Sequence, residues 1–294
     1  MTEDYPPVFY AAAAGDLERL REEGPHAAPA ELNQALAEAA SLSHFEAADL
    51  LLEFGADPKG LYDENYGTVL FPSCERLNPE AIEFLLKLGA DATTVVTRFD
   101  GPRDALTHLL HSPHRSPLKA RCISILLRAQ AVDPDDAVMA IHRESLPRLQ
   151  SALDKDPEAL TRPLDADYGL YPLRNATLLH LAVEYNLPRL AEELMDRGLD
   201  PNTPAGEIPG TVDTEPVWPT NLIPLGKQPP LFHARGYAKD MLSFLLERGA
   251  NPKQTGDFLK DGKIIQLTAR EFFQAIDDIE CNLLEELLLL RAAE

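Results

Sequence analysis

The chain has 294 residues, 45% of them apolar, and a formal net charge of −21 from 48 acidic and 27 basic side chains. That apolar content supports a packed core and argues against global disorder, and the length suits one or two ordinary domains or one extended array. The acidic excess opposes docking on nucleic acid or anionic lipid, both of which need clustered Lys and Arg, and its long-range field favours a basic partner.

The opening stretch MTEDYPPVFYAAAAGDLERL lacks a basic region followed by an apolar run, so no signal peptide is expected. No stretch approaches the ~20 apolar residues of a membrane span. A soluble, intracellular protein is the expectation, cytoplasmic in the first instance, with the nucleus left open. Cys74, Cys122 and Cys281 are odd in number and have no CxxC spacing. They read as buried small hydrophobes rather than a disulfide framework or a zinc ribbon.

From the N-terminus onward the apolar pattern is one of short paired helices. Residues 8–24 form a first pair, with Glu18, Arg19, Glu22 and Glu23 as a polar outer face. In 34–57, QALAEAASLSHFEAADLLLEFGAD, two apolar-periodic stretches end on Phe54-Gly55-Ala56-Asp57. The same ending recurs at Leu88-Gly89-Ala90-Asp91, after TVLFPSCERLNPEAIEFLL, and at Arg197-Gly198-Leu199-Asp200 and Arg248-Gly249-Ala250-Asn251. Paired apolar residues precede each ending: Leu51 and Leu52, Leu85 and Leu86, Leu194 and Met195, Leu245 and Leu246. The glycine supplies the left-handed residue that stops a helix.

Residues 104–132 follow the pattern with about five extra residues between the helices. His108, His111 and His114 lie there three apart, a spacing that would line one side of an unbroken helix as a metal site requires. Pro113 and Pro117 break that helix, which places His108 on the first helix and the other two in the inserted loop, so no metal is expected. Residues 136–157 lack the closing turn, yet SLPRLQSAL at 145–153 mirrors NLPRLAEEL at 186–194.

The fullest copy is 175–203, NATLLHLAVEYNLPRLAEELMDRGLDPNT. Thr177 is placed to cap its first helix, with Leu179, Ala182 and Val183 on one face. Pro188 opens a second helix carrying Leu190, Ala191, Leu194 and Met195, which Gly198 ends. Two linkers stand out. Residues 158–175 carry Tyr168 and Tyr171, and residues 204–228 carry five prolines, three glycines and the single tryptophan, Trp218. A last looser pair spans 229–251, with His233 in its first half, and 268–294 ends the chain with an acidic face.

Thr177, Leu179, His180, Ala182, Leu194, Gly198, Asp200 and Asn202 fall in register on the pattern of the ankyrin repeat, whose period is about 33 residues. The chain resembles an ankyrin-repeat protein of about eight units. The expected fold is therefore an all-α solenoid of stacked helix-turn-helix units with hairpin-like finger loops, in which neighbours supply the core that no single hairpin can bury. Expected boundaries are a cap at 1–30, repeats at 31–60, 67–94, 103–134, 135–162, 176–203 and 229–253, an inserted Pro-rich loop at 204–228, and a cap at 268–294. The resemblance implies a structural His180 and a partner groove lined by the inner helices and fingers.

No phosphate-binding Gly-x-x-x-x-Gly-Lys and no Gly-x-Ser-x-Gly elbow is present, and neither a cofactor nor a catalytic residue is expected. The favoured function is a non-enzymatic interaction scaffold for a basic protein or peptide, with Tyr62, Tyr66, Tyr168, Tyr171, Trp218 and His233 as the partner-binding candidates. A narrower alternative is an antidote that neutralises a basic toxin. The contrasting one is an enzyme or small-molecule binder with a pocket beneath 204–228 that contains His233.

Overall fold

Helices of two or three turns, taken in pairs, make up most of the backbone. The computed structural model describes residues 5–63, 66–98, 101–112, 116–130, 136–166, 173–207, 221–234 and 239–276. The chain divides into two compact units, Met1–Pro134 and Asp135–Glu294.

In the first unit, α1 (Pro7–Ala14) and α2 (Leu17–Glu23) form a pair, followed by α3 (Pro29–Ser41) with α4 (Phe45–Glu53). A finger of β1 (Leu61–Asp63) and β2 (Gly67–Thr68) leads to α5 (Phe71–Glu75) and α6 (Pro79–Lys87). A second finger, β3 (Val96–Arg98) with β4 (Gly101–Arg103), leads to α7 (Ala105–His111) and α8 (Pro117–Ala129). The first helices of the pairs form one layer, α1 on α3, α3 on α5 and α5 on α7. In the second layer α2 packs on α4 and α6 on α8, and Phe45 meets Phe84 at 4.8 Å between α4 and α6. Fully buried alanines such as Ala11, Ala12, Ala35, Ala39 and Ala40 let backbones approach, while buried Leu36, Leu51, Phe71 and Leu85 each contribute about 1.5–3 kcal/mol.

The second unit begins with α9 (Ala137–His142) and α10 (Leu146–Lys155), closed by a 3-10 turn at Pro157–Leu160. A finger of β5 (Leu164–Ala166) and β6 (Leu173–Ala176) leads to α11 (Leu178–Glu184) and α12 (Pro188–Asp196). Then come β7 (Ile223–Gly226), a 3-10 turn at Pro230–His233, α13 (Lys239–Glu247), β8 (Thr255–Lys260), β9 (Lys263–Thr268) and α14 (Ala269–Ala275). The last strands form an antiparallel sheet in the order β7-β8-β9. Phe232, Phe258, Phe272 and Phe273 fill the core beside it.

The recurrent Gly-x-Asp ending has a local cause. Gly55, Gly89, Gly198 and Gly249 all have φ between +92° and +110°, and each donates its N–H to the carbonyl three residues back. Two residues later an Asp or Asn side chain turns the chain toward the next unit. Asp57, Asp91, Asp200 and Asn251 each accept the N–H of the residue two further on, at 2.8–3.0 Å. The shorter turn between the helices of a pair is equally regular, but among the described turns only Gly15 meets its positive φ with a glycine. Ser43, Leu77, Glu144 and Asn186 hold φ of 49–65° there. Neighbouring pairs are also tied by side chains. Asn78 caps α6 by accepting from Ala81 and donates to the carbonyl of Ser41, and Asn202 accepts from Asn251 and donates to the carbonyl of Gly249.

Four details differ from the pattern read in the sequence. His111 belongs to α7 rather than to the inserted loop, with its Nδ1 2.7 Å from the carbonyl of Thr107. Buried Lys119 donates to the carbonyls of Leu110 and Ser112, so an ammonium anchors the end of α7 and the chain after it. The first half of the 229–251 pair is a single 3-10 turn, because Ala234 leaves helical space at φ −82°, ψ 80°. Residues 255–268 form a long hairpin, turned at Asp261 and Gly262, both at positive φ.

Cys74 and Cys122 are buried free thiols, and burial pushes both above the ordinary cysteine range, Cys122 to about 12. Cys281 and His114 lie outside the described residues. Among the described residues, no helix is long and apolar enough to cross a membrane.

Candidate partner-binding surface

The finger β1–β2 pairs Leu61 with Thr68 and Asp63 with Gly67. Strand alternation exposes Leu61 and Asp63 and sends Tyr62 to the other face. Gly67 sits at φ +155°, and a Cβ there would come within 2.1 Å of the Phe71 ring, so a glycine lets the finger lie directly on α5. Tyr66 is fixed beside it by donating its N–H to Asp63 at 3.1 Å.

Around these two tyrosines the unit assembles an aromatic row. Tyr62 and Tyr66 have ring centroids 5.0 Å apart. Behind Tyr66, the ring of His108 stacks on Phe71 at 4.2 Å. On the other side the Tyr62 hydroxyl bonds Tyr5, which stacks on Phe9 at 4.1 Å and meets Tyr10 edge-on at 6.5 Å. Tyr10 is 45% exposed; Tyr5, Tyr62 and Tyr66 are partly exposed. Arg98, from β3, lays its guanidinium 5.2 Å above the Tyr66 ring and donates to the Tyr66 carbonyl at 3.0 Å.

The charges in this region are largely paired within the unit. Arg76 meets Glu38 at 2.7 Å, and Nε2 of His108 lies 3.2 Å from Oε1 of Glu75. Burial of Glu75 opposes its ionisation, but bonds from His108 and Tyr66 together with the charge of Arg98 outweigh it and hold the carboxyl below the usual glutamate range. Burial, with the bonds to Tyr5 and Glu75 respectively, pushes the phenols of Tyr62 and Tyr66 well above the usual tyrosine value. Both stay neutral at any working pH.

Tyr62 and Tyr66 thus share one surface, joined by Tyr5, Tyr10 and Arg98, which the sequence reading did not single out. Tyr168, Tyr171 and Trp218 lie outside the described residues. His233, expected to face a partner, is 1% exposed, and its Nδ1 lies 2.8 Å from Oε2 of Glu184, itself only 3% exposed. The 3-10 turn aims it into α11 instead.

His180 is fully buried and packs edge-on to His233 at 5.6 Å. Its Nε2 lies 3.0 Å from the carbonyl of Gln228 and its Nδ1 accepts the N–H of Thr177 at 3.1 Å. The imidazole thus reaches back to the amide of Thr177, and the two residues form a capping box at the start of α11. Burial, followed by the neighbouring His233, lowers the His180 pKa to about 3, so the ring is neutral and carries its proton on Nε2.

A cavity of about 290 Å³ opens beside β5, where Val138, Ala152, Leu164 and Leu178 form apolar walls and Asp136, Lys155, Asp156 and Arg162 bring charges of both signs to it. It does not involve His233, and residues 208–220, the middle of the loop expected to cover a pocket, lie outside the described residues. Among the described residues, no three His, Cys, Asp or Glu side chains are grouped to hold a metal ion.

No protein-family model matches the chain, and comparison with curated proteins gives no match. Among solved structures, the chain is similar to the ankyrin repeat domain of human ASB11, at 20% identity over 96% of each chain with a TM-score of 0.41. Helix pairs closed by glycine and Asx turns, with antiparallel fingers leading from pair to pair, follow the repeat pattern read in the sequence.

Proposed function

We propose that the chain is a non-enzymatic protein-binding module, and that a basic protein or peptide seats on the tyrosine-bearing face of the first unit. The observation that carries this reading is the row Tyr10, Tyr5, Tyr62 and Tyr66, backed by the Arg98 guanidinium. Tyrosine and arginine are what interface centres concentrate, because they offer large contact area with few rotamers to freeze. These rings are already held by neighbours, so little ordering cost remains on binding. The net charge of −21 supports the basic character of the partner, since it speeds encounter with cations and repels polyanions. Neutralising a basic toxin would be a special case of the same surface.

The test is affinity capture with the whole chain from its source cells, repeated with Tyr62→Ala and Tyr10→Ala and followed by a salt titration. A retained protein that is lost from both variants and released by moderate salt supports the reading. Capture indifferent to both tyrosines refutes the surface, and a retained partner of acidic composition refutes the charge argument. A second reading, small-molecule binding, has the apolar cavity beside β5 in its favour. It expects a thermal-stability gain with a small apolar ligand that Ala152→Leu abolishes.

A further inference from the structure

Residues 136–157 lack the Gly-x-Asp ending of the better-formed pairs, and the cavity of the second unit lies where that ending is missing. Asp156 leaves helical space at φ −132°, ψ 80°, and a 3-10 turn over Pro157–Leu160 carries the chain toward β5 instead. In the mirrored segments SLPRLQSAL and NLPRLAEEL, Ala152 stands where α12 carries Glu193. Glu193 fills its place with bonds to Arg197 and Gln150, whereas a methyl group at 152 leaves room beside it. Buried Ala152 and Leu178 and partly buried Val138, Ala159 and Leu164 line the resulting space of about 290 Å³. An engineered apolar cavity of about 150 Å³ takes up benzene, so this one has room for roughly two fused rings.

The four charged side chains of the lining differ in how far they are already engaged. Asp136 caps α9 by accepting the N–H of Met139 at 2.8 Å, and Asp156 accepts from Arg162 at 2.9 Å. Both carboxylates thus have donors from their own chain. Among the described residues the Arg162 side chain meets only Asp156, through one nitrogen of a group that carries about five N–H donors. That pair is roughly half exposed, and such pairs contribute little, so the guanidinium is available to a ligand. Lys155, at the end of α10, brings a second cation to the same lining. A bound carboxylate can take the open edge of the guanidinium in the two-bond geometry arginine favours. An ammonium would have to draw on carboxylates that are already engaged.

Resting on the small-molecule reading above, we propose that this cavity binds a monocarboxylate with a compact apolar body. The body lies against Val138, Ala152 and Leu178, and the carboxylate is held by Arg162 with Lys155 beside it.

The experiment is isothermal titration calorimetry of the whole chain with three probes that share one body: naphthalene carboxylate, naphthalenemethanol and naphthylmethylamine, all substituted at the same ring carbon. The carboxylate is expected to bind at least about tenfold more tightly than the other two. Arg162→Gln, at an exposed site that does not threaten folding, should bring the carboxylate down to the level of the alcohol and leave the alcohol unchanged. Ala159→Phe fills the space from a partly buried wall, with less risk to the core than Ala152→Leu, and should abolish binding of all three while the far-ultraviolet circular dichroism stays native. An alcohol or amine that binds as tightly as the carboxylate overturns the proposal. So does a carboxylate preference that survives Arg162→Gln, or binding indifferent to Ala159→Phe. If the alcohol matches the carboxylate and both are lost on Ala159→Phe, the small-molecule reading stands and only the carboxylate assignment falls. If none of the three binds, the proposal falls, and the thermal-stability test with a neutral apolar ligand decides the small-molecule reading by itself.

Discussion

Nδ1 of His233 and Oε2 of Glu184 meet at 2.8 Å with both side chains withdrawn from water. This contact joins the 3-10 turn at 230–233 to α11. Removing one partner of such a pair leaves a polar group buried without compensation, which typically costs more than the intact pair contributes. Glu184→Ala should therefore destabilise the protein by about 3 kcal/mol, and Glu184→Gln, which keeps a bond to the ring, by clearly less. Urea unfolding of the two variants measures both. Equal losses would show that shape, not the hydrogen bond, is what Glu184 provides.

The pH dependence of stability should carry the signature of His180. Its folded pKa of about 3 lies below the value of about 6.5 expected in the unfolded chain. Between those limits the unfolded state binds a proton that the native state refuses, so stability is full above pH 6.5 and falls as pH drops toward 3. At pH 5 the loss is about 2 kcal/mol, before the carboxylates with lowered pKa add theirs. Urea midpoints at pH 7.5 and pH 5.5 should differ in this direction, and His180→Gln should reduce the difference even though it is less stable at both. A pH-independent midpoint over that window would contradict a buried neutral His180.

How far the fold could be read in advance depended on how local each cause was. The four Gly-x-Asp endings are legible because glycine at positive φ and an Asx turn act within a few residues. The β8–β9 hairpin has a comparably local signal in Asp261-Gly262 between β-rich flanks, but it lies outside the helical repeat that organises the rest of the chain. The placement of His233 failed for a geometric reason. Residues 230–233 form a 3-10 turn, which advances about 120° per residue against 100° in an α-helix, and this turns the His233 ring onto Glu184 of α11. The row from Tyr10 to Tyr66 could be read only in part. Tyr62 and Tyr66 are sequence neighbours, but Tyr5 reaches Tyr62 only once α1 and α3 have stacked and β1 has settled on α3.

The turn between paired helices offers a stabilising change. Glu144 sits at φ +51° on an exposed site, in the place that Gly15 occupies in the first pair. A left-handed conformation costs a side-chain-bearing residue about 1–2 kcal/mol, partly offset by the extra freedom glycine has when unfolded. Glu144→Gly should raise stability by about 0.5–1 kcal/mol. Asn186→Gly, at φ +53°, should gain less, since asparagine tolerates this region better than glutamate. The ordering of the two denaturation midpoints is the check. A larger gain at Asn186 would mean that backbone strain is not what limits these turns.

Arg98 should not be replaceable by lysine. Its planar guanidinium does two things at once, covering the Tyr66 ring at 5.2 Å and donating to the Tyr66 carbonyl at 3.0 Å. A lysine ammonium can reach one of these sites but cannot spread over a ring while holding a directed bond. The cation–π contact contributes about 0.5–1 kcal/mol at a partly exposed site and the hydrogen bond about 1 kcal/mol. Arg98→Ala should therefore cost about 1–2 kcal/mol, with Arg98→Lys recovering less than half of it. The tyrosine signal in near-ultraviolet circular dichroism should weaken in both variants as the Tyr66 ring loses its cover. Full recovery by lysine would mean that charge alone holds the second finger against the first, and that the Tyr66 ring is positioned by its contacts with Phe71 and His108 instead.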